Sequence, residues 1–297
     1  MRRFVILVLA GFAIAGCGSS GTGPARNPIA PASRPATETV PGLRAPNIRL
    51  HLDSGPVDLK PWTACYDNGC YDGSPPADLH DVGRTDAVEF SFGRVGWTFD
   101  ATFRESGVSC SRQITVPITK LSQKRFRVVS AGNAGTWDVD IFGRGPGGDV
   151  ITTFRWSTER SGAFPDAVTS SLAVLADHDG KLDSYGVELG ISDLARRPKT
   201  ASAEVTVIAD NGDQVSIDLG PMPKEDCYSA GHIYWTKPAS AGRPATALPG
   251  NRFTYVVRLT LDGVTYTGRG LWPADTDADI TPAIDLVWTP GLPVYRG

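Results

Sequence analysis

Two antiparallel β-sandwiches in tandem, an all-β chain, are what this sequence predicts, and three observations carry that expectation. Beyond Asn47 the apolar residues recur with a period of two rather than 3.6. Asn-Gly and Asp-Gly pairs and glycine clusters punctuate these runs at short intervals. The pattern occurs twice, on either side of residues 161–165 (SGAFP).

The elements follow in order. In "VEFSF", Val88, Phe90 and Phe92 share a face; in "WTFDATF", Trp97, Phe99, Ala101 and Phe103 do. Trp137, Val139 and Ile141 repeat the alternation, as do Val150, Thr152, Phe154 and Trp156. Half-buried antiparallel strands read this way, apolar inward and polar outward. Turns are expected at Asn68-Gly69, residues 131–135 and residues 145–148. In the second half Ala203, Val205 and Val207 alternate, then Val215, Ile217 and Leu219. "YVVRLTLDGVTYTGRG" reads as a hairpin whose Asp262-Gly263 supplies the positive φ of a type I′ turn. Ile284, Leu286 and Trp288 read as one closing strand. About seven or eight strands per half is the count of an immunoglobulin-like sandwich, although the Cys…Trp…Cys spacing of a true immunoglobulin domain is absent. A single large sandwich is the rival architecture.

The start of the chain has a different character. Arg2 and Arg3 precede an apolar run, residues 4–14 (FVILVLAGFAI), which is too short to span a bilayer comfortably and has signal-peptide length. No Ser or Thr precedes the arginine pair, which favours the general secretory route. The run closes on Ile14-Ala15-Gly16-Cys17, and this ending resembles the bacterial lipobox. The resemblance implies a diacylglyceryl thioether on Cys17, cleavage before it and often a third acyl chain. Each buried methylene contributes about 0.8 kcal/mol, so two or more chains anchor stably where one does not. Cleavage would leave 281 of the 297 residues. Residues 18–46 hold six prolines and almost no large apolar side chain, so they cannot build a core. Proline-rich chain extends at about 3.1 Å per residue, enough for a tether of several tens of ångströms.

The expected organisation is therefore a lipoprotein signal peptide (1–16), a lipidated Cys17 with a Pro-rich disordered linker (17–46), a first sandwich (47–160) and a second (161–297). With its lipobox-like start and its "GRG" and "YTGRGLWPAD" segments, the chain resembles the lipobox lipoproteins of high-GC Gram-positive (actinobacterial) genomes. That resemblance brings no activity with it.

Composition narrows the function classes. The chain has 29 basic and 32 acidic residues, so no polycation is available to hold nucleic acid. Residues 47–158 carry 12 basic and 13 acidic residues, residues 159–297 carry 12 and 18, and the second half is net acidic. Solubility is the plain reading of that excess. With Cys17 acylated, Cys65, Cys70, Cys110 and Cys227 remain, and an even number in an exported chain argues for disulfides of three possible connectivities. In "CYDNGC" a hairpin sets Cys65 opposite Cys70, which leaves Cys110 for Cys227 and a staple between the halves. The spacings do not supply a zinc site.

Three motifs invite ligands. "GRGPGG" (143–148) has the letters of a dinucleotide fingerprint, but a strand-like segment follows where that motif needs a helix, so a hairpin loop is expected. "DHDGKLDSYGVE" (177–188) resembles a calcium loop, but Lys181 and Leu182 stand where a ligand and the sharp-turn glycine belong. It reads instead as strand, turn and returning strand. Asp275, Asp277 and Asp279 alternate in "WPADTDADITPAID"; a solvated acidic loop is the plain reading and calcium the alternative. His51, His80, His178 and His232 are scattered, and Trp62, Trp235, Trp272 and Trp288 read as core before they read as a groove. Neither a cofactor nor a resident metal is expected. The sequence therefore points to a lipid-anchored module on the extracytoplasmic face of the cell membrane, binding or structural, with an envelope protein or wall polymer as partner. The alternatives are capture of a small solute between the halves and an envelope hydrolase recruiting Asp275, Asp277 or Glu225.

Overall fold

The computed structural model describes residues 45–66, 69–177, 180–223, 230–275 and 283–297. The expected signal peptide, Cys17 and the Pro-rich tract up to residue 44 lie outside them, as do His178, Glu225, Cys227, Asp277 and Asp279. No helix among the described residues is long and apolar enough to cross a membrane.

The first half contains β1 (Ile48–Leu52), β2 (Gly55–Leu59), β3 (Thr63–Tyr66), β4 (Gly69–Tyr71), β5 (Asp81–Arg84), β6 (Ala87–Phe92), β7 (Thr98–Glu105), β8 (Gln113–Pro117), β9 (Thr119–Lys120), β10 (Arg125–Val129), β11 (Gly135–Gly145) and β12 (Gly148–Thr158). One sheet runs β2-β1-β6-β10-β9, and the other runs β4-β3-β12-β11-β7-β8 with β5 parallel to β12. The inward-facing residues of both sheets form one core, which includes Phe90, Phe92, Phe126, Phe99, Phe103 and Trp156. The rings meet across the gap: Phe99 lies 4.5 Å from Phe126 and 5.1 Å from Phe90, centroid to centroid. These twelve strands exceed the expected seven or eight because short edge pieces such as β4, β5 and β9 extend both sheets. Such pieces are too brief to leave an alternating pattern in the sequence.

The "GRGPGG" stretch closes the β11–β12 hairpin, with Gly145 opposite Gly148. Its glycines serve packing. A Cβ on Gly143 would run into the Phe99 ring, and one on Gly145 would stand 2.6 Å from the Trp97 indole. Cys65 and Cys70 face each other on β3 and β4 and are disulfide-bonded, with Cα atoms 4.0 Å apart.

The second half contains β13 (Thr169–Ala173), β14 (Ala176–Asp177), β15 (Leu182–Asp183), β16 (Gly186–Ser192), β17 (Ala201–Ala209), β18 (Gln214–Pro221), β19 (Ile233–Pro238), the short α1 (Ala239–Gly242), β20 (Phe253–Leu261), β21 (Val264–Trp272), β22 (Ile284–Asp285) and β23 (Val287–Thr289). Sheets β19-β16-β13-β22 and β18-β17-β20-β21-β23 enclose a separate core around Leu189, Trp235, Val205, Tyr255 and Val257. Tyr255 bridges the sheets: its buried hydroxyl accepts the Leu175 amide at 3.2 Å, and burial pushes the phenol pKa upward. Asp262 and Gly263 both have positive φ in the β20–β21 turn, as the hairpin requires. Within the 177–188 region, β14 and β15 pair antiparallel, Asp177 opposite Leu182, and Asp177 accepts the Gly180 amide.

The closing strand differs from expectation. Residues 284–289 form two short strands: β22 pairs with β13 in one sheet, and β23 pairs with β21 in the other. Leu286, between them, is buried in the core. A strand that changes sheets keeps its two-residue alternation, so the crossing is invisible in the sequence.

Candidate functional site

The first sandwich has two distinct poles. Ile48, where the chain enters, pairs with Phe92 at the end of β6, and the Phe92 amide donates to the Lys124 carbonyl at 3.0 Å. Residues 93–96 and 121–124 therefore lie at the entry pole. β7 runs from that pole to Glu105 and β8 returns from Gln113, so Arg112 lies at the opposite one. β10 also ends there, at Val129.

The second sandwich is joined at this opposite pole. The connecting chain is sutured to the first sandwich: Gly162 donates to the Gly132 carbonyl at 2.8 Å and Ala163 to the Ser130 carbonyl at 2.9 Å, while Ala163 accepts from Gly132 at 2.9 Å. Arg112 then reaches across. Its guanidinium donates to the Leu194 carbonyl at 2.8 Å and to the Ala195 carbonyl at 3.1 Å, and stacks 3.8 Å over the Tyr295 ring. The chain's last residues complete the clasp. Ala195 donates to Pro293 at 2.8 Å, Tyr295 donates to the Asp193 carbonyl at 2.9 Å, and Phe164 packs edge-on against Tyr295. Arg296 bonds the Pro165 and Asp166 carbonyls at 3.1 and 2.9 Å. Tyr295 also packs against the core of the first sandwich. Arginine suits this place because its planar fork stacks on a ring while donating to two carbonyls at once.

Asp193 sits under the clasp, 8% exposed and at φ 66°, a conformation Asn and Asp tolerate best. Burial raises its carboxyl pKa from 3.8 to about 6, against the opposing hydrogen bond from Thr169 and the charge of Arg112. The native state therefore holds this proton more tightly than the unfolded chain does. The stability it adds is complete below about pH 4 and is lost as the pH rises through 6. Asp193→Asn keeps the backbone preference without the charge. We expect it to stabilise the protein by about 2 kcal/mol at pH 7 and to flatten the stability slope between pH 4 and 6 relative to wild type. Denaturant melts of both proteins across that range check this; an unchanged slope would remove Asp193 from the account.

The sequence-nominated residues are dispersed. Cys65–Cys70 is present, and Cys110, two residues from Arg112, is disulfide-bonded; Cys227 lies outside the described residues. Asp275 accepts the Leu271 amide at 2.7 Å, and its charge adds to the desolvation that raises Asp285 to about 6. No group of three His, Cys, Asp or Glu side chains among the described residues is placed to hold a metal ion. His51 and His232 bond Ser91 and Ser192 at 3.0 and 2.8 Å, far apart in separate sandwiches. Trp235 and Trp272 are buried, Trp62 bonds Thr153, and Trp288 bonds Ser170, so the four tryptophans do not share a groove. Two surface concavities, one with Arg104, Cys110 and Asp138 and the other with Tyr66, Arg94 and Pro146, are lined by first-half residues alone. Sequence reasoning missed Arg112, Asp193 and Tyr295, which lie in unpatterned segments.

No protein-family model matches the chain, and no curated protein matches it. Among solved structures it is similar to the crystal structure of chicken CNTN1 FN1–FN3 domains, at 11% identity over 77% of this chain and 95% of that one, with a TM-score of 0.19. A superposition that loose adds nothing to the sandwich assignment, which stands on the strand pairing.

Proposed function

We propose that this protein is a lipid-anchored module of the cell envelope, held through Cys17 on the outer face of the cytoplasmic membrane, with a binding or structural role and no catalytic one. The observation that carries the reading is the polar arrangement of the first sandwich. The tether enters at one pole and the second sandwich is clasped at the other, so the chain would present its acidic half away from the anchor. Disulfide-bonded Cys65, Cys70 and Cys110 fit an oxidising compartment. Pairing of Cys110 with Cys227 would add a covalent tie beside Arg112. The loops and edge strands of the outer sandwich are then the surfaces on which an envelope protein or wall polymer is recognised.

Two measurements test this. Intact mass of the membrane-extracted protein should show acyl chains on a chain beginning at Cys17, and Cys17→Ser should move the protein from the membrane fraction to the soluble one. Crosslinking in intact cells should recover a partner on the second sandwich. An unacylated native protein in the cytosol would overturn the proposal.

A further inference from the structure

Lys120, Lys124 and Arg125 surround the turn at residues 121–124, at the pole where the chain enters, and Arg94 lies on the neighbouring loop. Residues 113–137 contain four basic side chains, Lys120, Lys124, Arg125 and Arg127, and no carboxylate. Arg125 pairs with Glu89 at 2.8 Å, whereas neither lysine pairs with a carboxylate among the described residues. Of the described carboxylates nearby, Asp58 pairs with Arg49, Asp149 accepts the Cys65 amide, and Asp100 is largely buried near Arg144. Each loop also raises an aliphatic side chain, Leu121 at 46% exposure and Val95 at 52%. Exposed aliphatics ringed by cations suit the boundary between lipid headgroups and acyl chains, where the apolar tip enters and the ammonium groups meet phosphate.

We infer that this entry pole is a docking surface for anionic phospholipid headgroups, so that the first sandwich rests on the membrane and the second points away. Position favours lipid over other anionic partners, because the basic loops share a pole with the tether while the joint occupies the opposite one. The inference deepens the anchored reading but is tested apart from it.

The test uses residues 17–297 with Cys17→Ser, which retains every described residue and carries no acyl chain. Vesicles of phosphatidylglycerol and phosphatidylcholine are compared with phosphatidylcholine alone by co-sedimentation. Binding to the anionic vesicles is expected and should weaken with salt. Lys120→Gln with Lys124→Gln should reduce it about 30-fold, at roughly fivefold per charge. Leu121→Ser should weaken what survives in high salt. The substitutions lie in an exposed turn, so thermal melts should be unchanged. Equal binding to both vesicles, undiminished binding by the double variant, or capture of a soluble polyanionic wall polymer with vesicles ignored would each overturn the inference. Failure of the anchor itself would appear only in the intact mass of the native protein.

Discussion

Phe99→Ala is expected to destabilise the first sandwich by about 3–5 kcal/mol, the largest effect of any single side-chain truncation proposed for this protein. The ring is 4% exposed and touches Phe90, Phe92, Trp97 and Phe126, so it sits at the centre of the contact between the two sheets. It also covers Gly143, which has no side chain to collapse into the space left behind. Relaxation is therefore limited, and the cost should fall toward the upper end of the range. Denaturant unfolding followed by tryptophan fluorescence reads the change directly, because Trp97 stands beside the cavity. Val287→Ala, at a position 75% exposed, should change stability by less than about 0.5 kcal/mol. A loss below about 1 kcal/mol for Phe99→Ala would mean that this aromatic cluster does not join the sheets.

Arg112→Ala should release the joint and leave both cores intact. It removes two charge-assisted hydrogen bonds and the stack on Tyr295, together worth about 2 kcal/mol of local stability. That corresponds to roughly 30-fold faster hydrogen exchange at the Ala195 and Tyr295 amides, which donate within the clasp. Amides of β7 and β20 should keep their protection. Tyr295→Ala should reproduce the pattern from the other side, and the double variant should cost less than the sum, because the two residues act as one contact. Unchanged exchange at Ala195 in Arg112→Ala would show that the suture at residues 162–163 holds the halves without the arginine.

Much of the fold was legible in the sequence. Val88, Phe90 and Phe92, or Val205 and Val207, alternate because a strand sends successive side chains to opposite faces, and one of those faces must be dry. Asp262-Gly263 declared its turn because few other residue pairs accept positive φ twice. The hairpin at "GRGPGG" was legible from the strand-like segment that follows it, yet the reason for its glycines, the rings of Phe99 and Trp97, became visible only when β7 lay beside β11. The change of sheet at Leu286 was hidden for the opposite reason: the alternation persists through the crossing.

The amino-acid sequence by itself determined the strand class, the hairpin turns and the facing of Cys65 and Cys70, because each depends on neighbours a few residues apart. Tertiary structure alone decided that Arg112, Asp193 and Tyr295 meet, and that the basic turn at 121–124 shares a pole with the chain's entry. Those residues belong to segments with no repeating pattern, and their contacts span distant parts of the chain. Nothing local in charge or hydropathy distinguishes a clasping arginine from a solvated one until its carbonyl and aromatic partners arrive.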